Sequence, residues 1–281
     1  MGHPQLAAFS RLAKEDTPPN RVLAGQATRI ARTAHDIRYD PIHDEILIAN
    51  PQASAILTFR GAANGAEAPI RMIEGPKAQF GRLLDRLDVD PIHNEIFQPA
   101  GDKVLVFPRE ADGDVAPVRI IQGPDTRLHR SIALTVDPVH NLIVVGTVVG
   151  EGQDMRVDLL LFNRTDNGNV KPRAVIRGPR TGAPVTFEHL FGQMQVYPPK
   201  GWIIVTLPGR YQSWESPDYT PFIGIWSIND NGDVPPRWKL GGPKSNLKRP
   251  RGVVLIPKSK EIAVADMHLN AILTYYFPEL F

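Results

Sequence analysis

Residues 35–76 read HDIRYDPIHDEILIANPQASAILTFRGAANGAEAPIRMIEGP, four short apolar segments separated by turn-forming residues: Ile37–Tyr39, Glu45–Ala49, Ala55–Phe59 and Ile70–Ile73. Each is too short for a helix and long enough for a strand. The same unit recurs. Its first turn is Asp40-Pro41-Ile42-His43, then Asp90-Pro91-Ile92-His93, then Asp137-Pro138-Val139-His140. It decays to Tyr197-Pro198-Pro199-Lys200 and Ile256-Pro257-Lys258-Ser259. Repetition of a four-strand unit at a period of roughly 47 to 60 residues, punctuated by Gly and Pro, predicts a radial array of sheets, an all-β propeller.

Composition narrows the function classes. Charged residues (22%) and hydrophobic residues (42%) are those of a globular body, and 27 prolines serve the many turns. A net charge of +2 leaves no general nucleic-acid footprint, so nucleic acid is not an expected partner. With no cysteine there is no disulfide, thiolate metal site or cysteine nucleophile. No apolar run nears the roughly 20 residues that span a bilayer, so no membrane span is expected. Met1-Gly2-His3-Pro4 does not open a signal peptide. We expect an extracytoplasmic protein, periplasmic or secreted, with its signal peptide outside this sequence.

The chain reads as one domain, residues 1–281. Leu6–Arg11 and Asn20–Ala24 resemble the last two strands of a unit, complete units follow near 34–76, 84–124, 131–179 and 190–243, and a final piece near 249–281 supplies three strands. Inner strands number five and third strands six. The reading that reconciles them is five four-stranded blades, the fifth closed by Asn20–Ala24 as its outer strand, with residues 1–16 over the bottom or side; six blades is the alternative. Closure of this kind removes exposed sheet edges.

The third-to-fourth turns are the most regular: Ala63-Asn64-Gly65, Asp112-Gly113-Asp114, Asp166-Asn167-Gly168-Asn169 and Asp230-Asn231-Gly232-Asp233. Asn-Gly and Asp-Gly supply the positive φ of a tight hairpin, and the spacing lacks the full ligand set of a calcium loop. In such a propeller they share one face with the first turns, which carry His43, His93 and His140. Tied to their Asp and Pro, these histidines read as turn stabilisers, with a converging zinc site as the alternative. On the opposite face each blade connection carries an apolar residue and, two places on, a basic one: Ile30/Arg32, Phe80/Arg82, Leu128/Arg130, Phe187/His189 and Leu247/Arg249. They read either as cations bonded into the blade seams or as a cationic mouth for an anionic ligand. Alternation along the first two inner strands would set Asp36 against Arg86 and Arg38 against Asp88 across one seam.

The largest departure from the repeat is the loop of residues 207–222, which concentrates Arg210, Tyr211, Trp214 and Tyr219, residue types enriched at binding hot spots. A smaller insertion, residues 149–156, belongs to the preceding blade. Long loops on a rigid scaffold are where binding tends to reside. The sequence carries no serine elbow, P-loop, Rossmann fingerprint or HExxH, and no catalytic residue, metal or cofactor is expected.

The unit of inner strand, Asp-Pro-x-His turn, Glu45-Ile46-Leu47-Ile48-Ala49-Asn50 and Ala55-Ile56-Leu57-Thr58-Phe59 resembles the NHL-repeat propellers and, more distantly, the lactonase-like ones. Ile262–Asp266 followed by Asn270-Ala271-Ile272-Leu273 matches the NHL pattern most closely. That resemblance implies a propeller fold and spans protein-binding modules, RNA-binding modules and lyases. The expectation is a non-catalytic scaffold that binds a protein or other macromolecule through its loops. The alternative is a small-molecule site, lactonase- or lyase-like, with Arg32, Arg82, Arg130, His189 and Arg249 around an anionic ligand.

Overall fold

A computed structural model describes residues 4–32, 34–81, 86–151, 155–183, 192–208 and 221–281. Among these residues, regular structure consists of 21 strands and single 3-10 turns. The N-terminal pair is β1 (Gln5–Ala8) and β2 (Arg21–Ala24). Blade one follows with β3 (Asp36–Asp40), β4 (Glu45–Asn50), β5 (Ala55–Arg60) and β6 (Arg71–Glu74), and blade two with β7 (Asp88–Asp90), β8 (Glu95–Pro99), β9 (Lys103–Pro108) and β10 (Arg119–Gln122). Blade three is β11 (Arg130–Asp137), β12 (Leu142–Val149), β13 (Arg156–Asn163) and β14 (Ala174–Ile176). Blade four is β15 (Met194–Tyr197), β16 (Trp202–Leu207), β17 (Phe222–Ser227) and β18 (Trp238–Gly241). The fifth sheet is β19 (Pro250–Ile256), β20 (Glu261–Asp266) and β21 (Ala271–Tyr276).

Within each sheet the strands lie in sequence order. This is the all-β architecture of a five-bladed β-propeller, as the repeat predicts. The chain divides into two compact units, Met1–Gln98 with Val106–Val118 and Pro99–Leu105 with Arg119–Phe281.

Middle strands read as unbroken apolar runs because both of their faces are covered. Leu47, Ile48 and Ala49 of β4 are all buried, as are Ile56, Leu57 and Phe59 of β5. Each such side chain contributes about 1.5–3 kcal/mol by leaving water. In the second unit the faces of blades three and four meet through Val144, Leu159, Leu161, Ile203, Val205 and Trp226. The innermost strand β3 inverts the pattern, burying Asp36, Arg38 and Asp40 while Ile37 and Tyr39 stay exposed.

The regular third-to-fourth hairpins do more than turn the chain, since each clasps the preceding blade. The side chain of Asp112 accepts the N–H of Met72 (2.8 Å), Asn167 that of Ile120 (3.0 Å) and Asn231 that of Val175 (2.9 Å). Two residues further on, Asp114, Asn169 and Asp233 accept the N–H groups of Lys77, Asp125 and Arg180 at 2.7–2.8 Å. The hairpin glycines Gly113, Gly168 and Gly232 bridge in parallel to Ile73, Ile121 and Ile176. Gly123 precedes one such clasp at φ +125°, and a Cβ there would sit 2.5 Å from the Asn169 side chain, so a glycine is required.

The N-terminal strands depart from expectation. Arg21–Ala24, expected to complete the fifth blade, pairs instead with Gln5–Ala8, from Gln5↔Ala24 to Ala8↔Arg21. Residues 5–8 are therefore a strand and not a cover. The reason lies in packing: Leu6 and Leu23 join Ile48, Leu57 and Phe59 in one apolar cluster. Leu23 also bridges Gly65 as Ile73 bridges Gly113, so β2 takes the fourth-strand place ahead of blade one.

Candidate functional site

The Asp-Pro-x-His turns are built around a buried carboxylate. Asp90 Oδ1 accepts the N–H groups of Ile92 and His93, both at 2.9 Å, and its Oδ2 lies 2.7 Å from His93 Nδ1. Asp40 with His43 and Asp137 with His140 repeat the arrangement at 2.7–3.0 Å. The residue after each histidine (Asp44, Asn94 and Asn141) takes a left-handed conformation, which Asp and Asn tolerate. Each histidine thus serves its own turn through Nδ1. Among the described residues no group of three His, Asp or Glu side chains could hold a metal ion.

Of the two pairs that alternation predicts across the seam between the first strands of blades one and two, Arg38–Asp88 forms. Arg38 Nε lies 3.5 Å from both Asp36 and Asp88 and donates to the Leu87 carbonyl at 2.9 Å. Arg86 donates to the His35 carbonyl, and Asp36 accepts the Leu87 N–H at 3.1 Å. Asp36 therefore meets the backbone beside Arg86. The four charged side chains, Asp36, Arg38, Arg86 and Asp88, are buried, so they hold the seam and are closed to a ligand. A second seam clamp joins Glu45 to Arg71 (2.6 Å) and Arg109 (2.8 Å).

The basic residues of the blade connections differ from one another. Their apolar partners Ile30, Leu128 and Leu247 are buried plugs, and Phe80 packs against Phe107 with centroids 5.4 Å apart and the rings tilted by 55°. Arg249 is buried at 7% exposure, and its backbone N–H donates to Asp266 at 2.9 Å. Arg32 is exposed, and Arg130 is exposed with Nη2 3.5 Å from the Met155 sulfur. Arg82, His189, Arg210, Tyr211, Trp214 and Tyr219 lie outside the described residues.

A concentration of exposed cations lies where the repeat did not single one out. A shallow groove of about 490 Å³ in the second unit is lined by Arg127, Lys171, Arg173 and Arg177, with Pro124, Pro172, Val175, Asn231 and a single carboxylate, Asp125. The fourth strand of blade three forms its floor. Arg173 enters β14 by donating its N–H to the Leu161 carbonyl at 2.8 Å, and the Arg177 N–H donates to Gly232 at 3.0 Å. Residues 173, 175 and 177 share one face of the extended chain, which spaces the two guanidinium groups by about 13 Å at their roots. The four cationic side chains are exposed, and no ion pair holds any of them among the described residues. Asp125 is engaged, accepting from Asn169 Nδ2 at 3.2 Å.

Beneath the groove, Asp158 of β13 is only 3% exposed, and its Oδ1 lies 3.4 Å from Arg156 Nε. Burial pushes its carboxyl above the usual carboxylate range, against the opposing attraction of Arg156, Arg177 and Arg127. The groove therefore carries an excess of fixed positive charge at its surface. Its sequence signal was visible as Lys171-Pro172-Arg173 and Arg177, but these fall between repeat landmarks.

No protein-family model matches the chain, and no curated protein matches it. Among solved structures it is similar to the hydrazine synthase of Kuenenia stuttgartiensis, at 11% identity and a TM-score of 0.53 over 83% of this chain. The likeness is one of fold. The chain spans 57% of that chain's length, and at this identity nothing of that enzyme's chemistry transfers.

Proposed function

We propose that this chain is a non-catalytic β-propeller that binds a protein partner, and that the partner presents an extended acidic segment to the groove of blade three. The observation that carries the reading is the set of four exposed cations, Arg127, Lys171, Arg173 and Arg177, around one already engaged carboxylate. An extended peptide repeats its side chains on one face every 6.6–7 Å or so, a period that fits the spacing of Arg173 and Arg177 on their strand. Guanidinium groups take carboxylates in bidentate fashion, which adds register to attraction. The groove has no aromatic lining on which bases would stack, and the net charge of +2 disfavours a nucleic-acid partner.

The Arg210, Tyr211, Trp214 and Tyr219 segment adds aromatic anchors to this proposal on sequence grounds alone. So does the resemblance to NHL-repeat propellers, which include protein-binding modules. The test is a fluorescence-anisotropy titration of a labelled ten-residue glutamate-rich peptide against the full chain. The expected result is saturable binding that weakens steeply with salt and drops at least about tenfold in Arg173→Glu/Arg177→Glu. Equal binding by that variant would dispose of the groove as the site.

A further inference from the structure

The fifth sheet has three strands where blades one to four have four. β21 pairs with β20 from Glu261↔Tyr276 to Asp266↔Ala271, and among the described residues its other edge carries no ladder. On the sheet face that Val254, Ile272 and Tyr276 share, Ile272 is 68% and Tyr276 70% exposed. A long edge strand with apolar residues on it is a ready template for another strand.

The other blades show what such an edge accepts. A fourth strand enters antiparallel when the N–H of Ile70, Val118, Arg173 or Arg237 donates to the carbonyl of Thr58, Val106, Leu161 or Ile225, at 2.7–2.8 Å. Thr274 holds the same place in β21: it pairs with Ala263 as Thr58 pairs with Leu47. In blade one the incoming strand places Arg71 opposite Thr58, and the guanidinium reaches Glu45 at 2.6 Å. Blade four, which begins its second strand with Trp202, carries its arginine one position earlier, as Arg237 over the indole ring at 5.9 Å. The fifth sheet has a glutamate, Glu261, at the position of Glu45; its Oε2 accepts from Ser259 Oγ at 2.6 Å, as Glu45 Oε2 takes more than one donor. Its edge therefore matches the blade-one pattern.

We propose that the β21 edge is a docking site for an extended segment of a partner protein. The segment adds as an antiparallel fourth strand with arginine opposite Thr274 and apolar residues opposite Leu273 and Ile272. Main-chain hydrogen bonds to the edge supply adhesion, and the Arg–Glu261 pair supplies register. The basic start of this ligand sets it apart from the acidic segment assigned to the groove.

The probe is a labelled synthetic peptide with the sequence of residues 69–75, Pro-Ile-Arg-Met-Ile-Glu-Gly. Titrated against the full chain, it is expected to bind saturably with 1:1 stoichiometry, and the same peptide with glutamate in place of its arginine to bind at least about tenfold weaker. Thr274→Pro removes an outward N–H and should abolish binding. Because proline could unfold the strand, Ile272→Lys provides the second variant: the side chain is exposed, so the melting curve should stay in place while affinity falls. Three results would each overturn the proposal: no binding to the wild type, equal affinity of the two peptides, or self-association of the chain through β21 that the peptide does not displace.

Discussion

Replacing Asp90 by alanine removes a carboxylate that is fully buried and serves three donors at once: two backbone N–H groups at 2.9 Å and His93 Nδ1 at 2.7 Å. A hydrogen bond to a charged acceptor is worth about 1.5–3 kcal/mol when lost, but the turn is partly exposed and water takes over part of the role. We therefore expect Asp90→Ala to cost about 3 kcal/mol. Asp90→Asn retains an oxygen for the two N–H groups and loses only the carboxylate contact with His93 Nδ1, for about 1 kcal/mol. His93→Ala likewise removes one contact of three and should cost about 1 kcal/mol, because the imidazole is part-exposed. Urea denaturation of the three variants at one pH, with the m-value checked for constancy, measures the order. If Asp90→Ala cost no more than His93→Ala, the carboxylate would not be what organises the turn.

Four further outcomes follow from particular contacts. Gly123→Ala should destabilise by about 2–3 kcal/mol, since φ +125° is a region used almost only by glycine and the new Cβ meets Asn169; a denaturant midpoint within error of wild type would contradict the clasp. Arg38→Met should cost about 3–5 kcal/mol by leaving Asp36 and Asp88 buried without their cation, measured the same way. Asp158→Asn should stabilise at pH 7: the folded carboxyl is raised, so the ionisation penalty is full above that raised value, and the gain should fade in thermal melts as pH falls from it to the ordinary carboxylate value. Trp226→Ala opens a void between blades three and four and should cost about 3–5 kcal/mol in the same melts.

The sequence carried the fold because each unit repeats both a strand pattern and its turn chemistry. Asp40, Asp90 and Asp137 announced a turn, and the structure adds the reason, one carboxylate serving three donors. The Arg38–Asp88 pair was legible from alternation alone, since strand residues two apart share a face. The pairing of β2 with β1 was not, because assigning a terminal strand to a sheet depends on which apolar cluster Leu6 and Leu23 join. The groove was missed for a related reason. Arg127, Lys171, Arg173 and Arg177 are scattered over about 50 residues and converge only once β14 is laid beside the turn after β10. The repeated basic positions carry the stronger sequence signal, and of these Arg249 is buried while Arg32 and Arg130 are exposed.

The most direct test of the proposed function is hydrogen–deuterium exchange on the full chain with and without the glutamate-rich peptide. Slowed exchange at residues 124–127 and 171–177 is the predicted result. Protection elsewhere, with those segments unchanged, would contradict the assignment of the groove as the place where a partner binds.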